Sequence, residues 1–167
     1  MLTREPGGTE WGRRIRSIVL DADVATPLDA RAEALLMAAD RAQHVAEVIR
    51  PALERGVDVV SDRFTGSTLA YQGFARGLAV PELARLSTWA TGGLEPDVVI
   101  LLDVPEAVAA TRMKPEADRM EAAGPDFHRR VAEGYLALAA GDPGRWRVVD
   151  GSGSVHEVEA LVTAALS

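Results

Sequence analysis

The stretch Val98-Val99-Ile100-Leu101-Leu102-Asp103-Val104 is apolar at six of its seven positions. Apolar continuity without polar alternation predicts a parallel strand covered on both faces. Outward from it, Val57–Ser61 and Trp146–Asp150 read as further strands, and Leu2–Arg4 as the stub of another. Helical patterns fill the intervals, at about Glu10–Leu20, Asp29–Arg55, Leu69–Ala75, Pro81–Thr91, Pro105–Arg112, Asp126–Ala140 and Val155–Leu166. Strand–helix alternation of this kind predicts an α/β domain with a mostly parallel sheet. On the longest helix, Leu35, Ala39, Ala42, Ala46, Ile49 and Leu53 are spaced to form one apolar, core-facing side. Gly56 is placed to close that helix, and Pro51 should kink or tighten its last turn.

A chain of 167 residues suits a single domain with a real core. Its net charge of −7 disfavours a nucleic-acid-coating role, since such domains carry a basic excess. An acidic chain can still hold a phosphorylated small molecule through a few arginines in one pocket. With no cysteine there is no disulfide, thiolate metal site or cysteine nucleophile. No apolar run approaches a membrane span, and Met1–Pro6 has no apolar core of a signal peptide. These features fit a cytoplasmic protein.

In parallel α/β sheets, ligands gather beyond the carboxyl ends of the strands. Three such segments carry polar residues. In Thr3-Arg4-Glu5-Pro6-Gly7-Gly8-Thr9, the glycines permit a tight turn with exposed N–H groups, and Arg4 can fork onto a phosphate. A turn with a surface ion pair is the plainer reading. Asp62-Arg63 follows the second strand: carboxylate oxygen suits magnesium and guanidinium suits phosphate. Just beyond, Thr68, Tyr71 and Gln72 share one helical face, offering a hydroxyl, a phenol and an amide suited to a nucleoside. In the third segment, Asp118-Arg119-Met120-Glu121 with Arg112 and Lys114 before it reads as a mobile loop able to close over phosphates, or as a solvated charge cluster. Met37, Arg41 and His44 line one stripe of the long helix, where arginines are mostly solvated and His44 reads as a surface residue. The three histidines lack metal-ligand spacing.

These motifs, with Phe64, Ser67-Thr68-Leu69-Ala70-Tyr71-Gln72-Gly73 and Pro96-Asp97, occur in the order and near the spacing of bacterial-type thymidylate kinases, which the chain resembles along nearly its whole length. The resemblance implies a nucleoside monophosphate kinase fold of the P-loop NTPase type: a parallel sheet flanked by helices. It implies transfer of the ATP γ-phosphate to dTMP with magnesium, in a homodimer packed through helices. Arg63 would hold the dTMP phosphate, with Arg4 and Glu5 near it. Arg41 would read the thymine edge, Thr68 and Gln72 would contact the base, and Tyr71 would lie against the deoxyribose. Asp62 would join the magnesium shell. Arg63, Arg112 and Arg119 would be the catalytic arginines, the last two in or beside the lid. Met37 stands where the family usually has a phenylalanine stacked on thymine; its thioether should pack the base less selectively. The segment between Asp103 and Asp118 is about two residues shorter than the family's lid.

No G-x-x-x-x-G-K-[ST] phosphate loop occurs in the 167 residues. The family carries it on a strand and helix ahead of the Thr-Arg-Glu-Pro motif. The chain therefore reads as one thymidylate-kinase-like domain over 1–167, N-terminally incomplete and without a central strand. Four or five lost core side chains, at roughly 1.5–3 kcal/mol each, amount to ~10 kcal/mol. That rivals a whole domain's stability, so the chain alone should be poorly folded, or be a fragment of a longer protein, and its activity is in doubt. Two other functions stay open: a non-catalytic dTMP-binding or dimerisation module, and a kinase for another nucleoside monophosphate.

Overall fold

The computed structural model describes residues 1–24, 26–112 and 118–166. Lys114 lies outside them. In chain order the elements are β1 (Leu2–Arg4), α1 (Glu10–Leu20), α2 (Ala30–His44), a π-helical segment (Val45–Ile49), α3 (Arg50–Glu54), β2 (Val60–Asp62), α4 (Thr65–Thr68), a second π-helical segment (Leu69–Ala75), α5 (Val80–Thr91), β3 (Val99–Asp103), α6 (Glu106–Arg112), α7 (Pro125–Gly141), β4 (Trp146–Asp150) and α8 (Val155–Ala165).

Local chemistry starts and stops most helices where the sequence indicates. Thr9 caps α1 by accepting from Gly12 N–H, and Asp29 caps α2 by accepting from Arg31 and Ala32. Ser154 and Glu157 form a reciprocal capping box on α8. Gly92, at φ +59°, ends α5 in the left-handed conformation. Pro51 does not tighten its turn. Pro51 has no N–H to give and its ring crowds the preceding turn. The helix widens there instead, with Arg50 N–H bonded to Val45 O five residues back.

The strands form two parallel pairs. Leu2 to Arg4 register against Val60 to Asp62, and Val99 to Asp103 against Trp146 to Asp150. Among the described residues no ladder joins the pairs. Each strand therefore has one neighbour only, and β3 is not covered on both faces as its apolar run predicts: Val98 and Leu102 are half-exposed. Strand β2 begins at Val60 rather than Val57. Val57 N–H is held back in the helix-ending turn by Ala52 O, and β1 first offers a partner at Leu2.

The largest correction concerns α2. Its apolar stripe is for the most part not the buried one: Ile49 is buried as expected, but Leu35 is 58% exposed and Leu53, on α3, is 42% exposed. The buried stripe is Glu33, Met37, Asp40, Arg41 and His44, with Ala34 and Ala38 among them. Charged groups can go inside only if each finds a partner, and these partners come from residues 5–7, 64–76 and 119. On the other side of the fold, the second π-helical segment packs on α7 through Ala70, Ala75, Phe127 and Val131.

Candidate nucleotide site

The residues after β1 make no surface turn. Glu5 is 2% exposed, and Pro6, Gly7 and Thr9 are buried. Its carboxylate accepts from Arg41 Nε and from His44 Nδ1, both at 2.9 Å. A carboxylate only accepts, so the His44 proton sits on Nδ1, and in the neutral ring Nε2 accepts from Thr3 Oγ1 at 2.7 Å. His44 is thus an interior residue rather than a surface one. Gly8 has to be small: a Cβ there would lie 2.6 Å from the His44 ring. Asp40 Oδ1 accepts from Gly7 N–H at 3.0 Å, while among the described residues Oδ2 has no hydrogen-bond partner.

Burial holds the Asp40 carboxyl above the usual carboxylate range, with the Gly7 N–H opposing it. The folded chain then binds this proton more tightly than the unfolded chain does. Asp40 favours folding most below the ordinary value of 3.8, and that contribution is lost as pH rises through the raised value. Asp40→Asn should flatten this dependence. Urea midpoints measured between about pH 4 and pH 7 check it: the wild-type chain loses more stability over that range than the variant does.

Arg41 is fully buried and its guanidinium is committed on three sides. Besides Glu5, Nη1 donates to Thr68 Oγ1 at 3.0 Å and Nη2 to Phe64 O at 3.1 Å, with the Phe64 ring 5.4 Å away. Met37 is buried one turn before it. One turn earlier again lies Glu33, which sequence reasoning missed. It is 0% exposed and receives Gln72 Nε2 at 2.7 Å, Arg119 Nη2 at 2.6 Å and Arg76 Nη2 at 3.3 Å. The Met37–Arg41–His44 stripe, extended back by four residues, would have found it.

Thr68, Tyr71 and Gln72 do not share one face. Residues 69–75 are π-helical, and i→i+5 bonding turns Tyr71 away from Thr68. Thr68 and Gln72 face α2. Tyr71 faces α7, edge-on to Phe127 and Tyr135. Above it sits Arg63, with Cζ 5.1 Å from the Tyr71 ring and Nη1 3.4 Å from Tyr135 Oη. Tyr135, also unforeseen, bonds Ser67 Oγ at 2.7 Å. Burial pushes its phenol up, so it keeps its proton.

Arg4 and Asp62 are register partners at the carboxyl ends of β1 and β2. With Leu2, Thr3, Gly7 and Gly8 they line a cleft of about 400 Å³. Among the described residues no cluster of three or more His, Asp or Glu side chains could hold a metal alone. Asp62 fits magnesium only in the mode where nucleotide phosphates and water supply most ligands.

The structure separates the two arginines that the resemblance places in or beside a lid. Arg119 is docked, not free: Nε donates to Val19 O at 2.7 Å and Nη2 to Glu33. Asp118 Oδ1 caps the following turn through Met120 and Glu121 N–H. Arg112 is tied elsewhere, to the carbonyls of Gly151, Ser152 and Gly153 at 2.8–3.0 Å.

The buried guanidinium and amide cluster and the strand-end cleft are features that known proteins can be compared with. The family model described as thymidylate kinase matches residues 1–162. A thymidylate kinase of Bifidobacterium longum (strain DJO10A) is 50% identical over 164 residues, spanning 97% of this chain and 80% of that protein. One from Leifsonia xyli subsp. xyli is 52% identical, over 98% of this chain and 78% of its own length. The crystal structure of thymidylate kinase from Ehrlichia chaffeensis superposes with a TM-score of 0.79 at 28% identity, covering 99% of this chain and 79% of that one. With a family match along almost the whole chain and half the residues identical to curated relatives, the chain belongs to the thymidylate kinase family.

Proposed function

We propose that this chain carries the acceptor side of a cytoplasmic dTMP kinase, which moves the γ-phosphate of ATP to dTMP and yields dTDP. The observation that carries this reading is the cluster of Arg41, Thr68 and Gln72, buried and hydrogen-bonded between α2 and the second π-helical segment. Its donors are fixed and Gln72 Oε1 is unpaired among the described residues, a set that would suit a flat base edge. Arg63 and Arg4 would take the phosphate, and Tyr71, beneath Arg63, would border the sugar. Glu5 acts through Arg41, which it holds in place, rather than on phosphate. Met37 would press on the base. Phosphoryl transfer needs positioning and charge neutralisation more than covalent protein chemistry. Magnesium, when bound with nucleotide at Asp62, supplies part of that neutralisation. Arg119 would reach the phosphates only after leaving Glu33. Arg112, bound to the 151–153 carbonyls, braces the loop before α8 and is the weaker catalytic candidate.

The 167 residues contain no GxxxxGK[ST] loop. The ATP cradle is therefore assigned to none of these residues. The test is a coupled kinase assay with ATP and dTMP on this chain and on an N-terminally extended one, beside dTMP titrations of both. Turnover by the extended chain supports the reading. Titratable dTMP with no turnover in either chain would support the binding-module alternative. Faster turnover of dCMP than dTMP would sink the thymidylate assignment.

We also infer a homodimer. Leu35, Ala39 and Ala42 of α2 meet Leu86 and Trp89 of α5 around an apolar groove of about 410 Å³, and Trp89 is 81% exposed. An apolar patch left on a surface by an otherwise charged helix suits a self-complementary contact. Trp89→Glu should leave a folded monomer by sedimentation where the wild-type chain sediments as a dimer.

A further inference from the structure

Gln72 leaves one polar atom unanswered. Its side chain is 1% exposed, its Nε2 donates to Glu33 Oε1 at 2.7 Å, and among the described residues its Oε1 has no hydrogen-bond partner. A buried acceptor in that condition costs free energy unless something donates to it. Nor can the amide relieve itself by turning over. Glu33 faces the guanidiniums of Arg76 and Arg119, and an ionised carboxylate has acceptor oxygens only. Turning the amide would set Gln72 Oε1 against Glu33 Oε1 and bury two unpaired N–H donors. Glu33 therefore forces the Gln72 carbonyl away from itself.

A free amide reads base edges of either sense. A pinned one does not. Thymine and uracil present an N–H at position 3 flanked by carbonyls. Cytosine presents a bare ring nitrogen there, beside an amino group. A carbonyl turned from Glu33 satisfies the first and repels the second. Arg41, which has only donors and is immobilised by Glu5, Thr68 and Phe64, suits a neighbouring carbonyl for the same reason. Resting on the reading of Gln72 as a base contact given above, we propose that Glu33 is a positioning residue: it sets the hydrogen-bonding sense of Gln72, and so makes the site select an imide pyrimidine over cytosine. Sites that leave a buried polar group unpaired with the wrong ligand discriminate strongly.

The experiment is calorimetric titration of the full chain with dTMP, dUMP and dCMP, comparing wild type with Glu33→Gln and Arg76→Gln. An amide at position 33 can face Gln72 with either end, so Gln72 becomes free to turn. The preference for dTMP over dCMP should fall about tenfold or more in Glu33→Gln, with dUMP following dTMP. Arg76→Gln removes a Glu33 partner but leaves the carboxylate; it should weaken both nucleotides and keep their ratio. If Glu33→Gln weakens dTMP and dCMP equally, Glu33 is structural only and the proposal fails, while the acceptor-site reading stands. If the wild-type chain binds none of the three, that reading fails and takes this one with it. Should Glu33→Gln not fold, the wild-type chain decides by NMR. Gln72 amide protons protected from exchange and unmoved by dTMP support the proposal. Amide protons that dTMP shifts as a new hydrogen-bond partner overturn it.

Discussion

Glu5→Ala is expected to cost about 3–5 kcal/mol, the penalty for stripping one member from a buried ion pair. The Glu5 side chain is 1% exposed, and those of Arg41 and His44 are 0% exposed. Its two oxygens serve separate cations or donors, so removal leaves the Arg41 guanidinium in the interior without its counter-charge. Thr68 Oγ1 and Phe64 O still accept from Arg41, but neither carries charge. His44 loses its Nδ1 acceptor at the same time, and with it the fixed tautomer that holds Thr3 on β1. Against a total stability of about 5–15 kcal/mol, the loss takes a third or more. Urea denaturation near neutral pH measures it. A shift of under about 1 kcal/mol would mean that Arg41 escapes to solvent, and that the cluster is not preorganised. Glu5→Gln should be milder, because one oxygen still accepts from Arg41.

Arg63→Gly separates binding from stability in the opposite way. Arg63 is the described non-glycine residue held at positive φ, +69°. That conformation costs an L-residue roughly 1–2 kcal/mol, and glycine removes the cost. Glycine also adds about 0.5–1 kcal/mol of unfolded-state entropy. The contact of Arg63 with the Tyr71 ring is lost as well, at about 0.5–1 kcal/mol for an exposed pair. These terms nearly cancel, so stability should stay within about 1 kcal/mol of wild type. Binding should not. A charge-assisted hydrogen bond to phosphate contributes about 1.5–3 kcal/mol, so dTMP affinity should fall by roughly 10- to 150-fold. Titration and a melting curve on the same sample read both numbers. Retained dTMP affinity would move the phosphate contact from Arg63 to Arg4. A strained arginine kept at a strand end is what a functional constraint looks like when stability alone would choose otherwise.

Reading the chain linearly succeeded where the signal is local. The helix at Glu10–Leu20, the strand at Trp146–Asp150 and the strand stub at Leu2–Arg4 stand where their residues indicate. Caps, glycine stops and β-branched runs act within a few residues, so they are visible without the fold. The motifs after β1 and β2, and the family they point to, were legible for the same reason: each is contiguous. Hydropathy failed on α2, because it ranks side chains by their own polarity. Leu35 and Ala39 look internal, and Glu33, Asp40, Arg41 and His44 look external. What reverses them is pairing. Glu5 lies 36 residues from Arg41 and Arg119 lies 86 from Glu33, and no window of sequence holds both members.

The sequence by itself thus determined the α/β element order, the strand-end motifs and the family. Only the tertiary structure decided which side of α2 is the interior, that Arg119 rests on Glu33 while Arg112 braces residues 151–153, and that Gln72 turns its amide nitrogen to Glu33. The physical reason is the same in each case. A charge or amide is stable inside only against a partner with the right sense, and that partner is brought by the fold.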